Sequence, residues 1–146
     1  MSYSIDANIL IYASNEDSSH FAIANRFLQE CLNNNHELLC LSWPTVFAYL
    51  RIATHPSISR KPLSFKDAKK NIEEFLDLPH VRMISELDNF WHVFNTMTHD
   101  VVLRGNAIPD SHLAAILKQN AVKTFYTNDT DFLRYTFLQV KNPFQT

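Results

Sequence analysis

The stretch TFYTNDTDFLRY, residues 124–135, places two aspartates directly after a short apolar run. Its first residues have the β-branched and aromatic character of a buried strand, which we predict over 123–127, and the polar TND segment ends it. Asp129 and Asp131 therefore follow a strand end. In a parallel sheet, ligands bind at the edge where the strands end. This position makes both aspartates candidates for a functional site.

Two further aspartates occupy comparable positions. Asp6 interrupts the run YSIDANILIY, which begins as a strand, and Asp110 lies in the first turn of the predicted helix in NAIPDSHLAAILKQ. Structural roles are open to two of the acids: Asp110 could complement a helix dipole, and Asp129 could shape a turn after Asn128. Asp6 is harder to explain in that way, because Asp is depleted in strands and its apolar neighbours indicate burial. We expect Asp6, Asp110, Asp129 and Asp131 to converge on one edge of the sheet.

The whole chain alternates short apolar strands with amphipathic helices. Predicted strands are the start of 3–12, 37–42, 81–85, 123–127 and 137–141, and predicted helices are 20–32, 44–54, 65–77, 89–99 and 110–119. This alternation predicts an α/β fold with a mainly parallel central sheet flanked by helices. No repeat, low-complexity tract or linker-like stretch appears, so 1–146 is predicted to form a single domain.

Helical spacing also assigns aromatic side chains to the core. In the helix 44–54 the predicted inner face is Val46, Phe47, Leu50 and Ala53. In the helix 89–99 it is Phe90, Trp91, Phe94 and Met97.

Composition excludes several classes of protein. Gly105 is the single glycine, whereas phosphate-cradling loops and the nucleophile elbow of hydrolases need several. The seven histidines include no HExxH motif, and Cys31 and Cys40 lack CxxC spacing and are expected to be reduced core thiols. A net charge of −2 lacks the strongly basic balance of many nucleic-acid binders, although a local basic rim remains compatible with it.

The chain shows no sign of a membrane protein. No apolar run approaches the roughly 20 residues that a membrane span needs, and the polar start MSYSID is unlike a signal peptide. The expected location is cytoplasmic.

Several carboxylates at one edge require a counter-charge, because they repel one another and raise each other's pKa. A ligand set made only of oxygen atoms suits a hard cation such as Mg²⁺ or Mn²⁺. Such ions activate water and stabilise charge on phosphoryl oxygens. The residues alone thus indicate a metal-dependent hydrolase acting on phosphate esters.

Four segments, in the same order, resemble the PIN-domain ribonucleases, and within them the VapC-type toxins of bacterial type II toxin–antitoxin pairs. IDANILIYASNEDSSH resembles the opening strand of that family, and IPDSHLAAILKQNAV resembles the helix that carries a later acid. FYTNDTDF is similar to the closing T-x-D-x-D-F element, and SWPTVFAYLRIATHP resembles a segment of one branch of these toxins. The resemblance covers essentially the whole chain and implies a three-layer PIN-like domain.

The resemblance implies an endoribonuclease that hydrolyses RNA with Mg²⁺ or Mn²⁺. Asp6 and Asp110 would hold the ion, and Asp129, with Asp131 as a further candidate, would position a second ion or the attacking water. The resemblance also implies a homodimer and a cognate antitoxin that covers the site. Residues expected to orient the ligands or contact RNA are Asn8, Thr127 and Arg51.

One position departs from the family's usual pattern. Where the family carries a glutamate, shortly before the arginine of its LR pair, this chain has Ala48. Acids that could substitute for it by composition alone are Glu16, Asp17, Glu86 and Asp88. The missing glutamate leaves one alternative open, a non-catalytic PIN-like binding or scaffold module.

Overall fold

A five-stranded sheet forms the centre of the protein in the computed structural model, which describes residues 1–145. The strands are β1 (Ser2–Ile5), β2 (Leu38–Ser42), β3 (Val81–Ile84), β4 (Thr124–Tyr126) and β5 (Gln139–Lys141). They lie in the order β3-β2-β1-β4-β5, and all four pairings are parallel. The predicted parallel sheet is therefore confirmed.

Six helices and one 3₁₀ turn connect these strands. They are α1 (Ala7–Ala13), α2 (Phe21–Asn33), α3 (Trp43–Ala53), α4 (Phe65–Leu76), α5 (Phe90–Thr98), α6 (Ala107–Gln119) and the 3₁₀ helix Thr130–Arg134. Two helices begin directly at strand ends, where Asp6 caps α1 and Ser42 caps α3 by accepting hydrogen bonds from backbone N–H groups. None of the helices within residues 1–145 has the length and apolar character that crossing a lipid bilayer requires.

The helices form a layer on each face of the sheet. Successive residues of β2 point to opposite faces: Leu39 and Leu41 belong to one core cluster and Cys40 to the other. The first core cluster packs α1, α2, α3 and α4 against the sheet, and the second packs α6 and the 3₁₀ helix. This arrangement is the predicted three-layer α/β fold.

The strand order reverses at β1. The chain runs outward from β1 to β2 and β3, then returns to the opposite side of β1 to form β4 and β5. The gap between the carboxyl ends of β1 and β4 is a topological switch point, the usual place for a ligand site in an open α/β sheet. Asp6 follows β1 at this point, and Thr127 follows β4.

The predicted inner face of α3 is wrong at one residue. Phe47 is 63% exposed and lies beside Trp43, whereas Tyr49 is 1% exposed. Tyr49 tolerates burial because its hydroxyl lies 2.6 Å from Ser14 Oγ and accepts a hydrogen bond of 2.9 Å from Asn71 Nδ2. The buried stripe of α3 is therefore rotated away from Phe47.

The predicted core role of α5 is also wrong in part. No residue of α5 is buried; Phe90, Phe94 and Met97 are half-buried, and Trp91 is 69% exposed. Helix α5 packs mainly on α6, which leaves part of its aromatic face exposed. Trp91 instead stacks on Phe94, with ring centroids 5.6 Å apart.

Candidate active site

The site is built around the switch point between β1 and β4. The backbone N–H of Asp6 donates to the carbonyl of Tyr126 at 2.9 Å, which continues the pairing of the two strands by one residue. Asp6 then caps α1, with its Oδ1 accepting from Ala7 N–H at 2.7 Å. Strand pairing and capping together fix the Asp6 carboxylate at the edge of the sheet.

Three carboxylates lie close together at this edge: Asp110, Asp129 and Asp131, which we call the acidic cluster. Each offers an oxygen, and these oxygens all lie within 4.8 Å of one another. Asp110 comes from the first turn of α6, and the other two come from the start of the 3₁₀ helix. Asp6 is not a member of this mutually close trio among the described residues, although its charge raises the pKa of Asp110 and the charge of Asp129 raises the pKa of Asp6.

Thr127 connects Asp6 to the acidic cluster. Its hydroxyl donates to Asp6 Oδ2 at 2.7 Å and accepts from the backbone N–H of Asp129 at 2.9 Å. It also accepts from Asn8 Nδ2 at 3.2 Å. Asp129 Oδ1 in turn accepts from the N–H of Asp131 at 2.9 Å, which starts the 3₁₀ helix. One buried threonine thus orients carboxylates from both strand ends.

The four acids Asp6, Asp110, Asp129 and Asp131 carry negative charge that no ion pair among the described residues neutralises. Burial, and after it the charges of Asp129, Asp6 and Asp131, raise the pKa of Asp110 to about 6, with Arg134 opposing them. Burial likewise raises the pKa of Asp6, although hydrogen bonds from Thr127 and Ala7 lower it. The ion pairs among residues 1–145 join Lys61 to Asp17, His99 to Asp100 and His112 to Glu86. None of them neutralises these four acids.

An unsatisfied polar atom lies beside these acids. Asn8 Oδ1 is buried without a hydrogen-bond partner, while the amide nitrogen of the same side chain holds Thr127. Buried acceptors normally have a partner. Clustered carboxylate oxygens and a free amide oxygen form the hard, oxygen-only donor set that Mg²⁺ and Mn²⁺ prefer, so the residues fit such an ion.

Similarity to known proteins extends over almost the whole chain, although no protein-family model matches it. The sequence is 33% identical over 144 residues to Ribonuclease VapC48 of Mycobacterium tuberculosis, with 99% of each chain covered. It is 30% identical over 139 residues to Ribonuclease VapC43 of the same species, covering 95% of this chain and 93% of the relative. The chain belongs to the VapC family of ribonucleases.

Solved structures of VapC-type proteins share the fold. VapC20 of Mycobacterium tuberculosis, a toxin named for cleaving the sarcin–ricin loop, has a TM-score of 0.68 and 14% identity, over 95% of this chain and 98% of that one. VapBC2 of Rickettsia felis, bound to a promoter DNA fragment, has a TM-score of 0.64 and 18% identity, covering 97% and 98%. At these identities the likeness concerns the fold alone.

Membership of the VapC family confirms two predictions. The family and its PIN-like fold are those that the sequence motifs indicated. The protein is an endoribonuclease, the toxin of a toxin–antitoxin pair, as the motifs predicted. The alternative, a non-catalytic binding or scaffold module, is wrong.

The acids that could replace the missing glutamate lie elsewhere. Glu16, Asp17, Glu86 and Asp88 are all exposed, and none belongs to the acidic cluster. Glu86 instead pairs with His112 at 3.3 Å and accepts from Ser85 Oγ at 2.7 Å. Arg51 is exposed in the last turn of α3.

Ser111 and Tyr135 could not be singled out from the sequence. Their hydroxyl oxygens lie 2.5 Å apart in the interior, although the residues are 24 positions apart in the chain. Serine and tyrosine are common residues, and no motif joins these two. Ser111 does follow Asp110 directly, and Tyr135 ends the 3₁₀ helix of Asp131, which is the one local hint.

Proposed function

We propose that this VapC ribonuclease hydrolyses RNA phosphodiester bonds with Mg²⁺ or Mn²⁺ bound by Asp6, Asp110 and Asp129, with Asp131 as a further catalytic carboxylate. One observation carries the proposal: three carboxylates have oxygens within 4.8 Å of one another, and no cationic side chain among residues 1–145 forms an ion pair with them. Charge of this density at a switch point favours a bound cation.

The roles of the side chains follow from their contacts. A bound divalent cation supplies a water of lowered pKa and neutralises charge on the phosphate. Thr127 holds the Asp6 carboxylate in place by donating to Oδ2, and Asn8 holds Thr127. Asp129 orients Asp131 by accepting its backbone N–H. Asp131 is exposed, so its carboxylate can reach a water or a substrate oxygen from the solvent side.

Removal of divalent ions is the direct test of this proposal. We expect the purified protein to cleave RNA with Mn²⁺, less strongly with Mg²⁺, and not at all after chelation with EDTA. Activity should return when Mn²⁺ is added in excess, which separates it from metal-independent contaminating ribonucleases. Cleavage that persists unchanged in EDTA would contradict the proposal.

Substrate contact is proposed for Arg51. Its exposed guanidinium could bind an RNA phosphate through two parallel hydrogen bonds, a geometry that lysine cannot reproduce. The same cleavage assay with Arg51→Lys and Arg51→Ala decides this, since a rate indifferent to both changes would leave Arg51 a solvated surface residue.

Partners are proposed from the family and the surface. A cognate antitoxin would cover the site, and a guanidinium from it would neutralise the acidic cluster. A homodimer is proposed from the family, and the exposed side chains of Phe47, at 63%, and Trp91, at 69%, are free to take part in its interface. Sedimentation of the protein alone and with its antitoxin would test the homodimer and the complex. A protein that sediments as a monomer and does not bind the antitoxin would contradict both proposals. Its place of action would be the cytoplasm, where RNA is present.

The place of the missing glutamate gives a further prediction. Ala48 is half-buried in α3, which packs on α1, the helix that Asp6 caps. If Ala48 faces the acidic cluster, Ala48→Glu should tighten Mn²⁺ binding severalfold with folding retained, because the added charge meets the cation. Titration of Mn²⁺ by calorimetry measures this.

The matched control is Phe47→Glu, which adds the same charge one residue away on an exposed side chain. It should leave Mn²⁺ affinity nearly unchanged. An Ala48→Glu protein that unfolds, or that binds Mn²⁺ no better than Phe47→Glu does, would show that residue 48 faces the core.

A further inference from the structure

The acidic cluster is assembled from two separate elements. Asp110 comes from α6, whereas Asp129 and Asp131 come from the 3₁₀ helix that follows β4. Like charges within 4.8 Å push these elements apart whenever no cation lies between them. A cation site of this kind therefore needs a contact that holds the two elements at a set distance.

A pair of buried hydroxyls provides such a contact. Tyr135 and Ser111 have hydroxyl oxygens 2.5 Å apart, and their exposed fractions are 7% and 0%. The Ser111 hydroxyl already donates its proton to the carbonyl of Ala107 at 2.8 Å. Since it has only one proton, Ser111 Oγ accepts from Tyr135, and Tyr135 donates. The bond joins the end of the 3₁₀ helix to the first turns of α6.

Each end of this bond is rigidly connected to the acids. Ser111 is the residue after Asp110 on the same helix. On the other side, the N–H of Tyr135 donates to the carbonyl of Phe132 at 3.1 Å, which closes the 3₁₀ helix. Phe132 is 1% exposed and packs edge-on against Phe125 of β4, with ring centroids 4.8 Å apart. Tyr135 is therefore connected through the short helix to Asp129 and Asp131.

We propose that the Tyr135–Ser111 hydrogen bond is a positioning device that sets the distance between Asp110 and the pair Asp129–Asp131, and so tunes cation affinity. The inference rests on the proposed cation function, and it makes Tyr135 and Ser111 positioning residues, because neither hydroxyl belongs to the acidic cluster itself. Residues that orient metal ligands typically contribute about 10- to 100-fold to metal affinity.

The experiment compares two tyrosine-to-phenylalanine changes. Tyr135→Phe removes the hydroxyl that donates to Ser111. Tyr49→Phe is the matched control, because Tyr49 is also buried and its hydroxyl lies 2.6 Å from Ser14 Oγ, but in the first core cluster. Ser111→Ala and the double variant Ser111→Ala/Tyr135→Phe complete the set. Two quantities are measured: the Mn²⁺ dissociation constant, and amide hydrogen exchange over residues 127–133 in metal-free protein.

We expect Tyr135→Phe to weaken Mn²⁺ binding by about tenfold and to speed amide exchange over 127–133. Ser111→Ala should have a similar effect, and the double variant should be no worse than the poorer single one, because both remove the same bond. Tyr49→Phe should lower the unfolding midpoint while leaving both quantities as in the wild type, which separates positioning from general loss of stability.

Two results would overturn the inference, and they differ from each other. If the wild type binds Mn²⁺ and Tyr135→Phe binds it equally well, or exchanges no faster over 127–133, the positioning role fails and the proposed cation function stands. If the wild type binds no Mn²⁺, the cation function itself fails, and this inference fails with it.

Discussion

Asp110→Asn is expected to abolish Mn²⁺-dependent RNA cleavage and to weaken Mn²⁺ binding by about a hundredfold or more. Replacing a residue that only orients a ligand already weakens metal binding by about 10- to 100-fold, and the loss of a ligand should cost at least as much. The amide keeps the shape of the side chain but removes the charge that would hold the cation. The metal-free variant should be as stable as the wild type or slightly more so, because the change removes one of several carboxylates that repel one another. The repulsion of two charges at such distances is about 1 kcal/mol in water. Asp6→Asn should behave similarly in cleavage.

The matched control for this change is Asp67→Asn. Asp67 also lies in the first turn of a helix, α4, but it is exposed and outside the acidic cluster. Its variant should cleave RNA and bind Mn²⁺ like the wild type. Expression without antitoxin gives a second measurement, in which the wild type and Asp67→Asn should arrest growth and Asp110→Asn should not. Full cleavage by a folded Asp110→Asn protein would refute the proposed site.

The fold could be predicted because its signals are local. Each strand is a short apolar run, and each of the five predicted helices carries an apolar stripe, so their alternation and the parallel sheet follow from residues close in the chain. Helix α1 was not predicted, because its residues lie in the run 3–12 that begins as a strand. The orientation of α3 could not be obtained in this way. Tyr49 replaces Phe47 on the inner face because its hydroxyl meets Ser14 and Asn71, which belong to other segments.

The position of the four candidate acids was predictable only to the level of the sheet edge. Asp6 and Asp129 follow strand ends, so a general rule for parallel sheets brings them to one edge before any side chain is placed. The membership of the close trio depends on finer geometry. A 3₁₀ turn begins with the hydrogen bond from the Asp131 N–H to Asp129, and it brings Asp131 beside Asp110. The Asp6 carboxylate instead accepts a hydrogen bond from the Thr127 hydroxyl. Such contacts follow from tertiary packing and not from sequence spacing.

Protons and cations are expected to compete for the acidic cluster, with opposite effects on stability. Mn²⁺ affinity should fall as the pH drops through about 6, because the pKa of Asp110 is raised to about 6 and a ligand must be deprotonated. Without metal the sign reverses. The folded state holds a proton on Asp110 that the unfolded state, with a pKa near 3.8, releases, so the metal-free protein gains stability as the pH falls from 7 towards 4.

Denaturant unfolding between pH 4 and pH 7, with and without saturating Mn²⁺, measures both effects. With Mn²⁺ bound, stability should rise with pH, because the cation binds only the folded state and binds it better once Asp110 is ionised. The raised pKa of Asp6 acts in the same direction as that of Asp110.

The seven histidines add a background that wild type and Asp110→Asn share, so the difference between these two proteins isolates Asp110. In Asp110→Asn the gain in metal-free stability towards low pH should shrink, and the effect of Mn²⁺ should almost vanish. Identical pH profiles for the two proteins would mean that Asp110 has the same pKa in the folded and unfolded states. The negative charge at this edge would then not require a cation.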